Sequence, residues 1–374
     1  MKTVVFYVSG HGLGHSARAL GVAAAIPQSH RLIICTSSPR WFWEGECGRP
    51  FEWRPLSFDT GAVQIDNLRS DGMASLKAAA LVNTKNEKRL ASEVAYLRDV
   101  GASAVVTDVP PFPLKAASQA GVPSALICNF TWVDIYKPYL SLVASDEARH
   151  SYASMIDVMA EQYDEADVVL RTPLSMDMAH LSSPTVDIPL IVRPYHNVRD
   201  KLRAYLGVPE GHRVVLVSTG IYGVDYRWAA LEKVADTTFV GFSVPDAAKG
   251  VVQQLPYPDW RSQDVTAAVD AVVSKAGYGT IAECMAGGTP LIYPPRPTFA
   301  EHGALVRGME VWGGGVAISG GAFLGLDISA ALKRAYGATP LREVDVGGAG
   351  KAVAVILEMA EQGGDYSFPS QRKG

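Results

Sequence analysis

Short apolar runs punctuate longer stretches of mixed polarity along the whole chain. In the first half they fall at residues 4–8, 32–35, 104–107, 124–128 and 168–170, each the length of a buried strand and each followed by a segment of helical length. Strands that alternate with helices in this rhythm predict a parallel sheet covered by helices. The pattern restarts after Asp187-Ile188-Pro189-Leu190-Ile191-Val192-Arg193-Pro194, with runs at 214–218, 238–241, 271–273 and 291–293. A second α/β domain therefore follows the first, with the boundary near residues 190–200. Residues 349–361 read as a last helix and 371–374 as a frayed tail.

Two glycine-rich turns stand where a strand gives way to a helix. The first is Ser9-Gly10-His11-Gly12-Leu13-Gly14-His15, and the second is Ser274-Lys275-Ala276-Gly277-Tyr278-Gly279-Thr280, followed by Glu283. A helix N-terminus reached through such a turn directs backbone N–H groups and the positive end of the helix dipole at an anion or a developing negative charge. Two of them suggest twin α/β domains facing a shared cleft. In the second turn Lys275 suits phosphate charge, Thr280 a phosphate oxygen and Glu283 the ribose hydroxyls, which together read as a nucleotide-sugar site.

The first turn departs from the motifs it superficially matches. The third glycine of a dinucleotide fingerprint would fall at His15, and no acidic residue ends the second strand at 34–38, so a dehydrogenase is not indicated. Neither turn ends in the Gly-Lys-Ser/Thr of a P-loop. His11 and His15 have metal-like spacing but no obvious third ligand, and no Asp-x-Asp metal motif is evident, so no metal is expected.

Two residues compete for the role of catalytic base. His15 lies where the first turn becomes a helix; glycines around it would leave room for a substrate, and its other reading is a helix cap. Asp108 follows the strand 105–107, at the carboxyl edge where open α/β sheets place their ligands; its other reading is a cap for the next helix. Asp59, Gln64 and Asp66 are candidates in an acceptor-facing loop, or ordinary loop residues. Ser218-Thr219-Gly220 ends a strand and could present donors to a diphosphate. Glu301-His302 follows the stiff Pro294-Pro295-Arg296-Pro297 loop and could reach sugar hydroxyls. Trp132, Tyr136 and Tyr139 could stack on an acceptor ring or pack in a core.

Composition narrows the picture. The 374 residues allow about two ordinary domains, and a chain 48% hydrophobic and 19% charged is globular. A net charge of -4 argues against a nucleic-acid surface. Cys35, Cys47, Cys128 and Cys284 form neither a CxxC pair nor a disulfide framework and read as reduced, buried thiols. No apolar run reaches membrane-spanning length, and the N-terminus lacks the long apolar segment of a secretion signal, so the cytoplasm is the expected compartment.

A family resemblance rests on the same residues. The run from Ser274 to Glu283, with Gly288-Thr289-Pro290 and Glu301, resembles the donor-binding signature of GT-B glycosyltransferases of the lipid II N-acetylglucosaminyltransferase type, and Gly10-His11-Gly12-Leu13-Gly14-His15 looks like that family's acceptor-side loop. A closer likeness is to the glycosyltransferase-like N-terminal half of plant L-arabinokinases. It runs through His15-x-x-Arg18, Gly61-Ala62-Val63-Gln64-x-Asp66, residues 103–110, Asn129-Phe130-x-Trp132, Pro189-Leu190-x-Val192-Arg193 and Lys275-x-Gly277-Tyr278-Gly279-Thr280.

The resemblance implies two Rossmann-like, doubly wound domains of GT-B type: an acceptor-binding domain at 1–193, a donor-binding domain at 194–345, and a C-terminal helix crossing back with its tail at 346–374. It implies that Lys275 and Thr280 contact diphosphate, Glu283 the ribose, and Glu301 with His302 the donor sugar. The kinase half of the arabinokinases has no counterpart in this sequence, so kinase activity is not carried over. The expected activity is transfer of a sugar, hexosyl or related, from a nucleoside-diphosphate sugar to a small-molecule acceptor, with a specialised natural product as one candidate. Neither a metal nor a tightly bound cofactor is expected. A nucleotide-sugar epimerase and a non-catalytic nucleotide-sugar-binding protein are the alternatives.

Overall fold

The structure, a computed structural model, describes residues 1–218, 220, 223–340 and 343–366. The chain divides into two compact units: residues 1–63, 70–191 and 345–374 make the first, and residues 64–69 and 192–344 the second.

In the first unit the five apolar runs become β1 (Thr3–Val8), β2 (Arg31–Cys35), β4 (Ala102–Asp108), β5 (Ser124–Cys128) and β6 (Val168–Arg171), and two short edge strands, β3 (Glu52–Arg54) and β7 (Thr185–Asp187), which the apolar pattern did not mark, complete a seven-stranded parallel sheet. Their order is β3-β2-β1-β4-β5-β6-β7. Alternation along β1 divides its side chains between two buried faces. Val4, Phe6 and Val8 join one apolar cluster, to which the helix Gly348–Gln362 brings Ala352, Ile356 and Met359. Val5 and Tyr7 join a second cluster, with Leu97 and Phe112 from the helices Gly72–Asp99 and Phe112–Ala120. Each such side chain contributes about 1.5–3 kcal/mol by leaving water, which is why a strand buried on both faces reads as a continuous apolar run.

The second unit repeats the plan with six parallel strands: β8 (Arg213–Val217), β9 (Thr237–Gly241), β10 (Val252–Gln254), β11 (Ala271–Val273), β12 (Leu291–Tyr293) and β13 (Gly315–Ala317), in the order β10-β9-β8-β11-β12-β13. Strand order reverses between β1 and β4 in one sheet and between β8 and β11 in the other. Such switch points open a crevice at the carboxyl ends of the strands. The first glycine turn follows β1, whose Val8 stands opposite Asp108 of β4, and the second follows β11, whose Val273 stands opposite Val217 of β8. Both turns therefore sit where this topology leaves room for a ligand.

Residues 64–69 belong to the second unit although the chain on either side belongs to the first. Leu68 packs against the core cluster of that unit, and the Asn67 side chain donates to the Gly223 carbonyl at 2.7 Å. The reading of residues 1–193 as one uninterrupted domain did not anticipate this excursion, because a six-residue polar loop carries no periodic signal of where it packs.

Candidate active site

In the first unit the glycine turn feeds the helix Gly12–Ala23, which carries His15 and, one turn on, Arg18 on the same face. Both meet Asp108, the last residue of β4. His15 Nδ1 lies 2.8 Å from Asp108 Oδ1; Arg18 donates from Nε to Asp108 Oδ2 at 2.7 Å and from Nη2 to Oδ1 at 2.8 Å. Arg18 also donates from Nη1 to Asn129 Oδ1 at 2.5 Å. Asp108 is fully buried and His15 is 9% exposed.

Burial alone would raise the Asp108 carboxyl, but the Arg18 charge and the bonds from Arg18 and His15 outweigh it and hold the group below the usual carboxylate range. Asp108 is thus favoured as a carboxylate with both oxygens engaged, and it faces His15 rather than solvent. It does not cap the next helix either, whose N-terminal position is held by Pro111. With Asp108 on Nδ1, Nε2 is the ring nitrogen left to meet a substrate.

Aromatic rings surround His15. Phe130 and Trp132 have centroids 5.6 and 6.1 Å from it, and the Trp132 Nε1 donates to Asp59 Oδ2 at 2.7 Å. Trp132 and Tyr136 are fully buried and Tyr139 is buried, so these rings pack in the core and offer no open stacking face. His11 rests edge-on against Trp132, and its ring is pressed by Gly61; a Cβ at Gly61, whose φ is +66°, would collide with that ring. Gly12, Leu13 and Gly14 open the helix, with Gly14 exposed and open space beside it.

Gln64 and Asp66, expected on the acceptor side, lie in the excursion that belongs to the second unit. Asp66 accepts from the backbone N–H groups of Leu68 and Arg69, both at 2.8 Å, and pairs with the Arg69 side chain. Its carboxylate closes a local turn.

In the second unit the turn after β11 leads into the helix Tyr278–Gly287, with Gly277 at its N-cap and Tyr278, Gly279 and Thr280 supplying its first N–H groups. Lys275 is half-buried. Burial lowers its pKa to about 8, and the Arg296 guanidinium pushes in the same direction against the opposing effect of Glu301. Arg296 is itself buried and donates to the Ala276 carbonyl at 3.4 Å, which fastens it to the glycine turn. Glu301 is buried at the N-terminus of the helix His302–Trp312. Burial, reinforced by Arg296, lowers the His302 imidazole below its ordinary range and favours its neutral form.

Glu283 faces Arg193, whose Nη2 donates to it at 2.5 Å and to Ser262 Oγ at 2.7 Å. Ser218 closes a turn by accepting from the Gly220 N–H at 3.3 Å. Gly220 has φ +61°, and a Cβ there would come within 2.8 Å of Asn67 Oδ1. Thr219 lies outside the described residues.

The sequence reading assigned no role to Arg18, Asn129 or Arg296. Arg18 left one signal, a lone cation three residues after His15 on an otherwise apolar helix. Arg296 left another, as the one charge inside a rigid proline loop.

Residues 242–304 match the Glycosyltransferase family 28 C-terminal domain. L-arabinokinase of Arabidopsis thaliana is 29% identical over 366 residues, covering 95% of this chain and 34% of that protein. The UDP-N-acetylglucosamine--N-acetylmuramyl-(pentapeptide) pyrophosphoryl-undecaprenol N-acetylglucosamine transferase of Clavibacter michiganensis subsp. michiganensis is 31% identical over 134 residues, covering 33% of this chain and 36% of the relative. The chain thus spans about a third of the length of these curated relatives.

Among solved structures, the calicheamicin glycosyltransferase CalG4 matches with a TM-score of 0.59 at 16% identity, covering 97% of this chain and 99% of that one. Arabidopsis thaliana UGT89C1, complexed with quercetin, matches with a TM-score of 0.60 at 14% identity over 96% and 99% of the two chains. The fold is the α/β fold of GT-B glycosyltransferases, and the sequence carries a region similar to their family 28 C-terminal domain. Among the described residues no helix is long and apolar enough to cross a membrane.

Proposed function

We propose that this chain is a Leloir-type glycosyltransferase: the second unit binds a nucleoside-diphosphate sugar, and the first deprotonates a hydroxyl of a small-molecule acceptor. The observation that carries this reading is the His15–Asp108–Arg18 arrangement at the switch point of the first sheet. His15 is the base. Its Nε2 takes the acceptor's proton as the acceptor oxygen bonds to the anomeric carbon, and the bond from that carbon to the diphosphate oxygen breaks. Asp108 holds the ring's orientation and stabilises the imidazolium that forms. Arg18 and Asn129 in turn hold Asp108.

Lys275, Arg296 and the first N–H groups of the helix Tyr278–Gly287 balance the charge that develops on the leaving diphosphate. Those cations support a metal-independent reaction, so activity is expected to persist in EDTA. Glu283, oriented by Arg193, receives the ribose hydroxyls, and Glu301 with His302 meets the donor sugar. The structural neighbour UGT89C1 is complexed with quercetin, and a ligand of that size supports a small-molecule acceptor here, a specialised natural product included.

The test is release of nucleoside diphosphate from a panel of UDP-, GDP-, ADP-, CDP- and dTDP-sugars, with and without candidate acceptors, for the wild type and His15→Asn. Acceptor-dependent release that falls by about 10²–10⁴ in the variant is expected. Equal turnover in the two proteins would remove His15 from the mechanism. Conversion of a single donor into an epimer with no acceptor present would replace transfer by epimerisation.

A further inference from the structure

A recess in the first unit is lined by Asp59, Asn83, Asn86, Pro111, Tyr136 and Gln162, among others. Pro111 stands three residues beyond Asp108, so the recess lies at the same strand-end edge as the His15–Asp108 pair. One side chain joins the two places. Trp132 stacks on Tyr136 with centroids 5.6 Å apart, donates to Asp59, and turns its ring toward His15.

The polar wall of this recess is incomplete in one sense only. Asn86, 3% exposed, donates from Nδ2 to the Phe58 carbonyl at 2.8 Å, which fixes its amide orientation and leaves Oδ1 with no hydrogen bond. Gln162, 4% exposed, likewise has no bond to Oε1. An unmet buried acceptor costs about 1–3 kcal/mol, and folded proteins keep few of them. Two that line one recess call for a partner that brings O–H or N–H groups.

Asp59 adds a third oxygen-bearing group, and no Lys, Arg or His lines the recess. Burial raises the Asp59 carboxyl above its ordinary range despite the bonds it accepts from Ser9 and Trp132. The amides of Asn83, Asn86 and Gln162 stand beside the apolar Phe58, Val82 and Met159, a mixture that suits the hydroxyls and C–H faces of a polyol. The recess measures about 280 Å³ with its open mouth, and its interior admits about one water-sized group. The interior is too small for an extended ring system and takes a single terminal hydroxyl.

We propose that this recess is a subsite for an uncharged, hydroxyl-bearing end of the acceptor substrate, held by hydrogen bonds to Asn86 Oδ1 and the Gln162 amide. The assignment deepens the transferase reading and rests on it for the word substrate. It makes the acceptor a polyhydroxylated molecule rather than a wholly apolar one.

The test is binding, which does not need turnover. Ligand-observed NMR on the full chain would screen neutral pentoses, hexoses and alditols at millimolar concentration against the wild type, Gln162→Met and Asn86→Leu. We expect at least one polyol to bind the wild type and to lose at least tenfold in affinity in Gln162→Met. That variant should melt no lower than the wild type, because an unmet amide gives way to an apolar group of similar volume. Asn86→Leu gives a second, independent reading where it folds.

The proposal is overturned if no polyol binds the wild type, or if Gln162→Met binds it equally well. A Gln162→Met protein that melts lower with polyol binding intact marks a trapped water and also overturns it. Failure of the transferase reading would show separately, as no nucleoside diphosphate released from any donor sugar.

Discussion

The two glycine turns occupy the same place in two similar sheets, and their charges are arranged in opposite ways. Around the first, the buried anion Asp108 is matched by Arg18 and His15, so the cluster is complete without a ligand. Around the second, Lys275 and Arg296 stand close enough to lower the lysine's proton affinity, with Glu301 as a partial counterweight. A carboxylate already held by an arginine can orient a base. Two cations beside a helix N-terminus suit an anion that arrives. The difference separates a site for moving a proton from a site for binding phosphate, where the glycine motifs alone look alike.

The sharpest way to break this contrast is to unbalance the first cluster. Asp108→Asn leaves Arg18 buried without its carboxylate, and loss of one partner from a buried pair costs about 3–5 kcal/mol. A large drop in melting temperature, together with lost transfer, is expected from thermal denaturation and activity assays. His15→Asn leaves the Arg18–Asp108 pair intact; it should change stability by no more than about 1.5 kcal/mol while removing most of the turnover. Equal effects of the two substitutions on melting would show that Asp108 and Arg18 do not form the unit described.

In the second cluster the order of effects reverses. Lys275→Met removes both a like charge beside Arg296 and the attraction of Glu301, so the melting temperature of the unliganded protein should change little. Nucleoside diphosphate affinity should fall by the worth of one charge-assisted hydrogen bond, about 1.5–3 kcal/mol, measurable by calorimetry. A variant that melts much lower would mean that Lys275 is a structural residue.

A smaller and more graded effect is expected from pH. With its pKa lowered to about 8, Lys275 of the free protein is charged below that value and neutral above it, whereas an ordinary lysine keeps its charge for about two more units. Nucleotide affinity should therefore weaken as pH rises from 7 to 9. Stability of the free protein should move the other way, rising above pH 8, because there the unfolded chain binds the proton that the folded one releases. An affinity flat across this interval would contradict the electrostatic role given to Lys275.

Much of the fold was legible from the chain because it depends on local signals. Runs such as 4–8 and 271–273 are apolar along their length since each becomes an interior parallel strand, and the glycine turns mark where strands end. The site was legible only in part. His15, Asp108 and Lys275 stood out beside glycines and strand ends, yet nothing local told that Arg18 and Asp108 pair across 90 residues, or Arg18 and Asn129 across 111. Such pairings are fixed by the sheet order rather than by spacing.

The remaining differences have the same origin. Trp132 has equal claim, from sequence, to a stacking face and to a core, and its bond to Asp59 settles its place in the core. The six-residue excursion that carries Gln64 and Asp66 is governed by the side chains of Asn67 and Leu68, which have no periodicity to reveal them. Arg296 gains its importance from the approach of its loop to Ala276, a contact between segments 20 residues apart.

The most direct test of the account is calorimetric titration of UDP, GDP, ADP, CDP and dTDP into the wild type, Lys275→Met and His15→Asn. The account predicts that one nucleotide binds the wild type and His15→Asn alike and binds Lys275→Met much more weakly. Binding that is absent for every nucleotide, or that is lost in His15→Asn and kept in Lys275→Met, would contradict it.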